Sequence, residues 1–341
     1  MTVRIAVVGA GLIGLRHIAT IGAASGADLA CVVDPDAGAR GVAVAQGVPW
    51  FAGLEDVPEG LADGVILATP NRLHVAGGLD CVARGLPVLV EKPIATDVAE
   101  ARILVEAAEA AGVAVLVGHH RRHNPLIAAA KAMIDAGRIG PVISVQAQFW
   151  LCKPDEYFDV AWRREAGAGP VFVNLIHDVD LLRHLVGDVV AVQARIASHR
   201  GHAVEDTCVA TLEFANGALG TVNISDTIPA PWSWELTSGE NPAYPPTDQA
   251  CYMIGGRDGA LELPRLRIWQ HEGAHSWWAP IAATTHSRGH GDPLVLQIEQ
   301  FARVIRGEEP PLVPAREGMR TLAVIEAILA SSAQGVRVEL G

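Results

Sequence analysis

The 341-residue chain has no surplus of positive charge. Its 26 Lys and Arg stand against 38 Asp and Glu, a net charge of −12. That balance argues against nucleic acid as a partner, since such binding draws on basic surface. It leaves the substrate open, because a local pocket can oppose the global sign. The chain also lacks a cysteine framework. Cys31, Cys81, Cys152, Cys208 and Cys251 are scattered, odd in number and without a Cys-x-x-Cys pair. This suits reduced, buried thiols in a cytosol better than disulfides or a metal site. No apolar run is long enough to span a bilayer, and there is no internal repeat or low-complexity tail. The first strand starts almost at Met1, which leaves no room for a signal peptide. The expected protein is therefore cytoplasmic, with no membrane contact. What the chain does have is apolar mass: half its residues are hydrophobic, and its length suits two domains with sizeable cores.

The stretch Val3-Arg4-Ile5-Ala6-Val7-Val8-Gly9-Ala10-Gly11-Leu12-Ile13-Gly14 reads as strand, glycine turn and helix start. Alone, Gly-x-Gly-x-x-Gly can be an ordinary glycine-rich loop. Here a second strand, Asp28 to Val33, follows and ends at Asp34, twenty residues past Gly14. That is the layout of a dinucleotide-binding βαβ unit. Gly9 turns the chain off the strand, Gly11 lets a pyrophosphate approach the backbone, and Gly14 lets the helix lie close to the sheet. The free N–H groups at Leu12, Ile13 and Gly14 then face the anion at the positive end of the helix. Asp34 can accept hydrogen bonds from both hydroxyls of the adenine ribose and would repel a 2′-phosphate. Pro35 and Asp36 follow, with no adjacent Arg or Lys, so the pattern favours NAD over NADP.

Strand and helix patterns alternate from Val3 to about Gly118, which means a parallel sheet covered on both faces. Helical patterns run from Ala37 to Gln46, Leu73 to Arg84 and Asp97 to Ala111. In the last, Asp97 and Glu100 make a capping-box pattern. Buried strands are expected at Gly64–Thr69, Pro87–Glu91 and Val113–Val117. After residue 120 the pattern changes. Helices are expected over Asn124–Ala136 and Val171–Leu185, and strands over Val142–Trp150 and Val189–Ser198. Thr207–Phe214 and Gly220–Ser225 flank Ala215-Asn216-Gly217, a strong hairpin signal. The fold class is thus α/β over residues 1–120, followed over 121–341 by an α+β domain with a large open, mostly antiparallel sheet. Terminal helices Leu294–Arg306 and Glu317–Gln334 are able to pack back on the first domain. Pro229–Pro246 and His286–Pro293 read as loops. An uncovered sheet face is a natural surface for self-association.

Two strand ends carry candidate chemistry, because ligands sit at the carboxyl edge of an open α/β sheet. Ala68-Thr69-Pro70-Asn71, with His74 in the next helical turn, leaves one strand. Glu91-Lys92-Pro93 leaves the next and aims a lysine at the nicotinamide end of a dinucleotide. Before Pro the backbone is extended and can be cis, which would hold the ammonium in place.

The glycine turn, Ala-Thr-Pro-Asn with its His, Glu-Lys-Pro, Trp162-Arg163 and Asn174-Leu175-Ile176-His177-Asp178 occur in this order. The ordered set resembles the glucose–fructose oxidoreductase / inositol dehydrogenase / rhizopine-catabolism (Gfo/Idh/MocA) family along almost the whole chain. The resemblance implies a Rossmann domain followed by a second domain whose open sheet builds homodimers or homotetramers. It implies NAD(P)-dependent interconversion of a secondary alcohol and ketone on a sugar, inositol or related ring. It makes Lys92 and His177 the catalytic pair and substrate contacts, with Glu91 orienting the lysine or touching the cofactor. Trp162 and Arg163 match a pair that reaches the cofactor across the domain cleft. The chemistry agrees: a neutral His takes a hydroxyl proton near neutral pH, and an ammonium stabilises the developing alkoxide.

One departure stands out. Several polyol-acting relatives carry an Asp four residues before the histidine, where this chain has Val173. The polar residue is instead Asn174, which can bind substrate or orient His177 but cannot act as a base. Asp178 and Asp180 either assist or cap and solvate the helix. Three histidines in His119-His120-Arg121-Arg122-His123 suggest a metal only weakly, since neighbours on an extended chain point opposite ways; no metal is expected. Trp150, Lys153, Tyr157, Trp232, Trp234, Tyr244 and His290 are candidate linings of a pocket for a ring substrate, and most of them suit a core or an interface equally well. The expected function is an NAD-dependent dehydrogenase for a cyclic polyhydroxy compound. The alternatives are a dihydrodiol or aromatic-pathway dehydrogenase, a glycosidase using NAD transiently, and a non-catalytic dinucleotide sensor.

Overall fold

A computed structural model describes residues 1–165 and 167–341. The chain forms two compact units: residues 1–124 with 291–322, and residues 125–290 with 323–341.

The first unit is built on a six-stranded parallel sheet in the spatial order Trp50–Phe51, Ala27–Val33, Val3–Val8, Gly64–Leu67, Val88–Val90, Val115–Val117. Its elements in chain order are β1 (Val3–Val8), α1 (Leu12–Ile21), β2 (Ala27–Val33), α2 (Ala39–Gln46), β3 (Trp50–Phe51), β4 (Gly64–Leu67), α3 (His74–Ala83), β5 (Val88–Val90), α4 (Val98–Ala111) and β6 (Val115–Val117). Strands β4, β5 and β6 are buried at every residue, which is why they read as unbroken apolar runs. Asp97 accepts the N–H of Glu100 and starts α4. The helix Pro293–Ile305 lays Ile298, Phe301 and Ala302 into the same core as Ile5, Val7 and Ile66. Gly64 is the site of that contact, since a Cβ there would stand 2.5 Å from the Ile305 side chain. The order reverses between β1 and β4, so the carboxyl ends of β1, β4 and β5 form one row at the switch point.

The second unit is organised by a nine-stranded sheet. Its elements are α5 (Pro125–Asp135), β7 (Val142–Trp150), α6 (Pro170–Val173), α7 (Leu175–Val186), β8 (Val189–Ala197), β9 (Thr207–Phe214), β10 (Leu219–Ser225), α8 (Trp234–Thr237), β11 (Tyr252–Gly256), β12 (Ala260–Leu263), β13 (Arg267–His271), β14 (Ile281–Thr285) and β15 (Val338–Glu339). The sheet runs β14-β13-β12-β11-β7-β10-β9-β8-β15, antiparallel except where β10 meets β7. The Asn216-Gly217 turn joins β9 to β10 as the sequence suggests. Burial alternates along all of β9 and along β10 as far as Ile224. Cys208, Ala210, Leu212, Val222 and Ile224 face the core with α7, while Val209, Thr211, Leu219 and Thr221 are exposed on the other face.

Two elements differ from the sequence reading. The single helix expected over Val171–Leu185 is two helices broken at Asn174. The Pro- and Trp-rich stretch 229–246 contains a short helix, capped by Ser233, whose Trp234 is 1% exposed and stacks on Tyr252. Trp234 therefore belongs to the core and not to a pocket wall. No helix among the described residues is long and apolar enough to cross a membrane.

Candidate active site

The glycine turn is held by backbone geometry. Gly9 has φ +95°, and a Cβ there would lie 2.5 Å from the Ala68 carbonyl oxygen at the end of β4. A Cβ on Gly14 would lie 1.9 Å from the Gly9 oxygen, so α1 touches the turn directly. Gly11 is different. Its φ of −69° suits any residue, and a Cβ there would meet nothing within 4 Å. The protein's own packing does not require glycine at 11; a group approaching from outside would. The N-terminus of α1 beside it has no side-chain cap and no acidic residue in its first turn. Leu12 is almost fully exposed and Ile13 is exposed. The Thr69 hydroxyl, at the end of β4, is buried with no hydrogen-bond partner among the described residues. An uncapped helix start, an unexplained glycine and an unsatisfied hydroxyl on one sheet edge fit a pyrophosphate-bearing dinucleotide.

Asp34 closes this edge at the end of β2. One carboxylate oxygen accepts the Ala10 N–H at 2.7 Å, and the other accepts the Asp36 N–H at 2.8 Å. The acid is thereby aimed along the glycine turn, and each oxygen retains a lone pair for a ribose hydroxyl. The sequence puts no basic residue beside Asp34, but the fold links one to it through Trp50. Arg40 on α2 stacks over the Trp50 ring at 5.5 Å, and the Trp50 indole donates to the Asp34 carbonyl at 3.1 Å.

The second strand end is more tightly built than the sequence suggests. Glu91 is 7% exposed. One of its oxygens lies 2.7 Å from His17 Nε2, and the other accepts the Lys92 N–H at 3.1 Å. Burial pushes the Glu91 carboxyl up, but the His17 hydrogen bond and the charges of His17, Lys92 and His120 outweigh it and hold the group down to about 2. Gly118 leaves room for it, since a Cβ there would stand 2.9 Å from the carboxylate. Glu91 thus braces the backbone of Lys92, and the Lys92–Pro93 bond is cis. His17, fully buried on α1, is a member of this cluster that the sequence reading missed. Its position three residues past Gly14 was the available signal. His74 is also fully buried, with Nδ1 2.8 Å from the Pro93 oxygen and Nε2 2.9 Å from the Thr69 oxygen. It ties the β4 and β5 loops together and has no surface to offer a cofactor directly. Asn71 starts the 3-10 turn before α3 and stays partly exposed.

In the second unit, His177 lies in the first turn of α7, buried to 8% exposure. The helix buries eleven of its twelve residues, so its polar residues are enclosed. Asp178 accepts the Tyr252 hydroxyl and is 2% exposed; Asp180 is 1% exposed. Neither solvates the helix, which corrects that part of the sequence reading. Asn174 is the break before α7, and its Oδ1 accepts from Lys153 Nζ at 3.0 Å. Two cations meet the Tyr157 ring, with Arg163 at 4.2 Å and Lys153 at 4.9 Å from its centroid. Arg163 also donates to the Tyr157 carbonyl, and Trp162 is exposed. Trp150 meets Trp232 edge-on at 5.6 Å and donates to Asn223. No group of three or more metal-ligating side chains occurs among the described residues.

Residues 3–119 match the family model described as "Oxidoreductase family, NAD-binding Rossmann fold", and residues 131–340 match that family's C-terminal alpha/beta domain. The chain is 27% identical to the rhizopine catabolism protein MocA of Rhizobium meliloti over 95% of this chain and 93% of that protein. It is 29% identical to the scyllo-inositol 2-dehydrogenase (NAD(+)) of Bacillus subtilis over 99% of this chain and 96% of that one. Among solved structures, the WlbA dehydrogenase of Bordetella pertussis in complex with NADH and UDP-GlcNAcA aligns with TM-score 0.80 at 29% identity, covering 100% of this chain and 99% of that one.

Proposed function

The chain belongs to the Gfo/Idh/MocA oxidoreductase family, and from that premise we propose that it is an NAD-dependent dehydrogenase. Its substrate would be a cyclic polyol, sugar or sugar derivative, with a secondary alcohol and ketone interconverted by direct hydride transfer. The observation that carries this reading is the braced Glu91-Lys92-Pro93 loop: a lysine held at the carboxyl end of β5, in the strand row that begins with the glycine turn. Relatives named as inositol and xylose dehydrogenases support the substrate class.

The bound dinucleotide supplies the hydride acceptor. Gly9, Gly11 and Gly14, the N–H groups at Leu12 and Ile13, Ala68, Thr69 and Asn71 form the edge that holds it, and Asp34 takes the adenine ribose. His177 accepts the hydroxyl proton of the substrate in the oxidative direction and returns it in the reductive one. The Lys92 ammonium stabilises negative charge developing on the same oxygen. Glu91 keeps the lysine in place, and Trp162 and Arg163 contact the cofactor. Asn174, Trp150 and Tyr157 contact the substrate ring. The protein acts as a homodimer or homotetramer in the cytoplasm.

A screen of sugars, inositols, sugar acids and cis-dihydrodiols with NAD and NADP tests the reading. NADH accumulating in step with product supports it. Glycoside cleavage without net NADH, or nucleotide binding with no turnover of any compound, would overturn it.

A further inference from the structure

We propose that Lys153 is a positioning residue for His177. Its buried ammonium pins the Asn174 side chain at the break between α6 and α7, and so sets the course of the turn that carries the histidine. This rests on the reading of His177 as the acid/base.

The starting point is an asparagine that does not cap. Asn174 ends α6, with its N–H donating to the Pro170 oxygen at 3.0 Å, and it begins α7, with its carbonyl accepting the His177 N–H at 3.0 Å. At such a position the side-chain oxygen ordinarily bonds the second or third N–H of the helix. Asn174 makes no side-chain cap. Its Oδ1 is turned instead to Lys153 Nζ at 3.0 Å. The first turn of α7 therefore hangs from a residue fastened sideways to a charge.

That charge is itself anchored. Lys153 Nζ lies 3.0 Å from Asp226 Oδ2, with Lys153 8% and Asp226 2% exposed. The Lys153 N–H donates to the Asp226 carbonyl at 2.8 Å, just past the ends of β7 and β10. Arg200 donates to the carbonyls of Lys153 and Asp226, and its Nε stands 4.0 Å from the Asp226 carboxylate. Asp206 accepts the N–H groups of His199 and Arg200, and its own carbonyl accepts the Asp226 N–H. The Tyr157 ring covers the ammonium at 4.9 Å. Burial raises the Asp226 carboxyl, while Lys153 and Arg200 pull it back and Asp206 pushes it up, so the pair depends on its geometry. The nine-stranded sheet thus holds the ammonium, and the ammonium holds the helix break. A group that must meet a substrate atom to within a fraction of an ångström needs support of this kind.

Lys153→Met alone would leave the buried Asp226 charge without its nearer partner, and such a variant can fail to fold. Lys153→Met/Asp226→Asn removes the pair together and is the variant to use, with Asn174→Leu as its counterpart. In the wild-type background both should lower kcat by about tenfold or more with NAD affinity changed by no more than about threefold, and the Lys153→Met/Asp226→Asn variant should keep KM within about threefold as well. The triple variant should be no worse than the poorer parent, because all three substitutions break one linkage. Lys153→Arg, which keeps a donor for both partners, should recover most of the loss. Full kcat in the folded double variant would overturn the proposal. So would a rise in KM alone, which would make Lys153 a substrate contact, or losses that multiply in the triple variant. Carbethoxylation of His177, followed by peptide mass spectrometry, reads the same linkage without any turnover. Its rate should change by about threefold or more in both variants. An unchanged rate overturns the positioning role even if the substrate class proves wrong.

Discussion

With His17 2.7 Å from one oxygen and the Lys92 N–H 3.1 Å from the other, the Glu91 carboxylate stays charged in the folded protein down to about pH 2. The unfolded chain would protonate it near its ordinary value of 4.5. A folded value below the unfolded one means stability that is fully present above pH 4.5 and lost as pH falls toward 2. The gap corresponds to about 3 kcal/mol. Glu91→Gln should therefore show a flatter decline of urea-unfolding stability over that window than the wild type; identical slopes would remove the linkage. At Lys92 the expectation concerns rate. Lys92→Ala should lower kcat by about 10²–10³-fold while NAD binding remains measurable by fluorescence titration. Full turnover in that variant would end the assignment. Asp34 and Arg40 make a third case. Asp34→Ser removes the charge that repels a 2′-phosphate and leaves the guanidinium over Trp50 within the same neighbourhood. The ratio of kcat/KM for NADP over NAD should rise by about tenfold or more; an unchanged ratio would mean that Asp34 does not meet the ribose.

Among the elements, the β1–turn–α1 unit separates two jobs that one glycine pattern hides. Gly14→Ala forces a Cβ to within 1.9 Å of the Gly9 oxygen, so helix and strand must part. A loss of about 2 kcal/mol or more in thermal or urea unfolding is expected. Gly11→Ala meets no protein atom. Its stability should change by less than about 1 kcal/mol, while NAD affinity falls by about tenfold or more as the methyl group takes the pyrophosphate's space. If Gly11→Ala binds NAD as the wild type does, the anion does not sit on this turn. Helix α7 makes a related point about enclosure. In a sequence window its Asp178 and Asp180 fit either a role beside His177 or a solvated helix face, yet the first meets a tyrosine 74 residues away. A one-dimensional pattern cannot supply that partner.

For the molecule as a whole, the open face of the nine-stranded sheet is the feature with consequences beyond one chain. Val209, Thr211, Leu219, Thr221 and Met253 are exposed on strands whose other face is core. Light scattering at micromolar concentration should give two or four chain masses. Thr221→Glu, placed directly opposite Thr211 on the adjacent strand, should shift the mass toward one chain. A monomeric wild type would end the assembly proposal.

How much of this was written in the sequence depends on the range of the forces involved. The glycine turn, the alternation of buried strands and helices, the Asn216-Gly217 hairpin and the order of the motifs follow from backbone sterics and from side chains a few residues apart. These identified the family and the two architectures. The strands β11 to β14 were not read, because short segments such as Tyr252–Gly256 and Ala260–Leu263 acquire strand geometry from neighbours already in the sheet. The break at Asn174, the His17–Glu91 contact, the burial of His74 and the approach of Arg40 to Trp50 lie beyond the sequence for the same reason. Each is a contact between residues brought together by folding, and its energy depends on burial and direction, which no local pattern of residue types specifies.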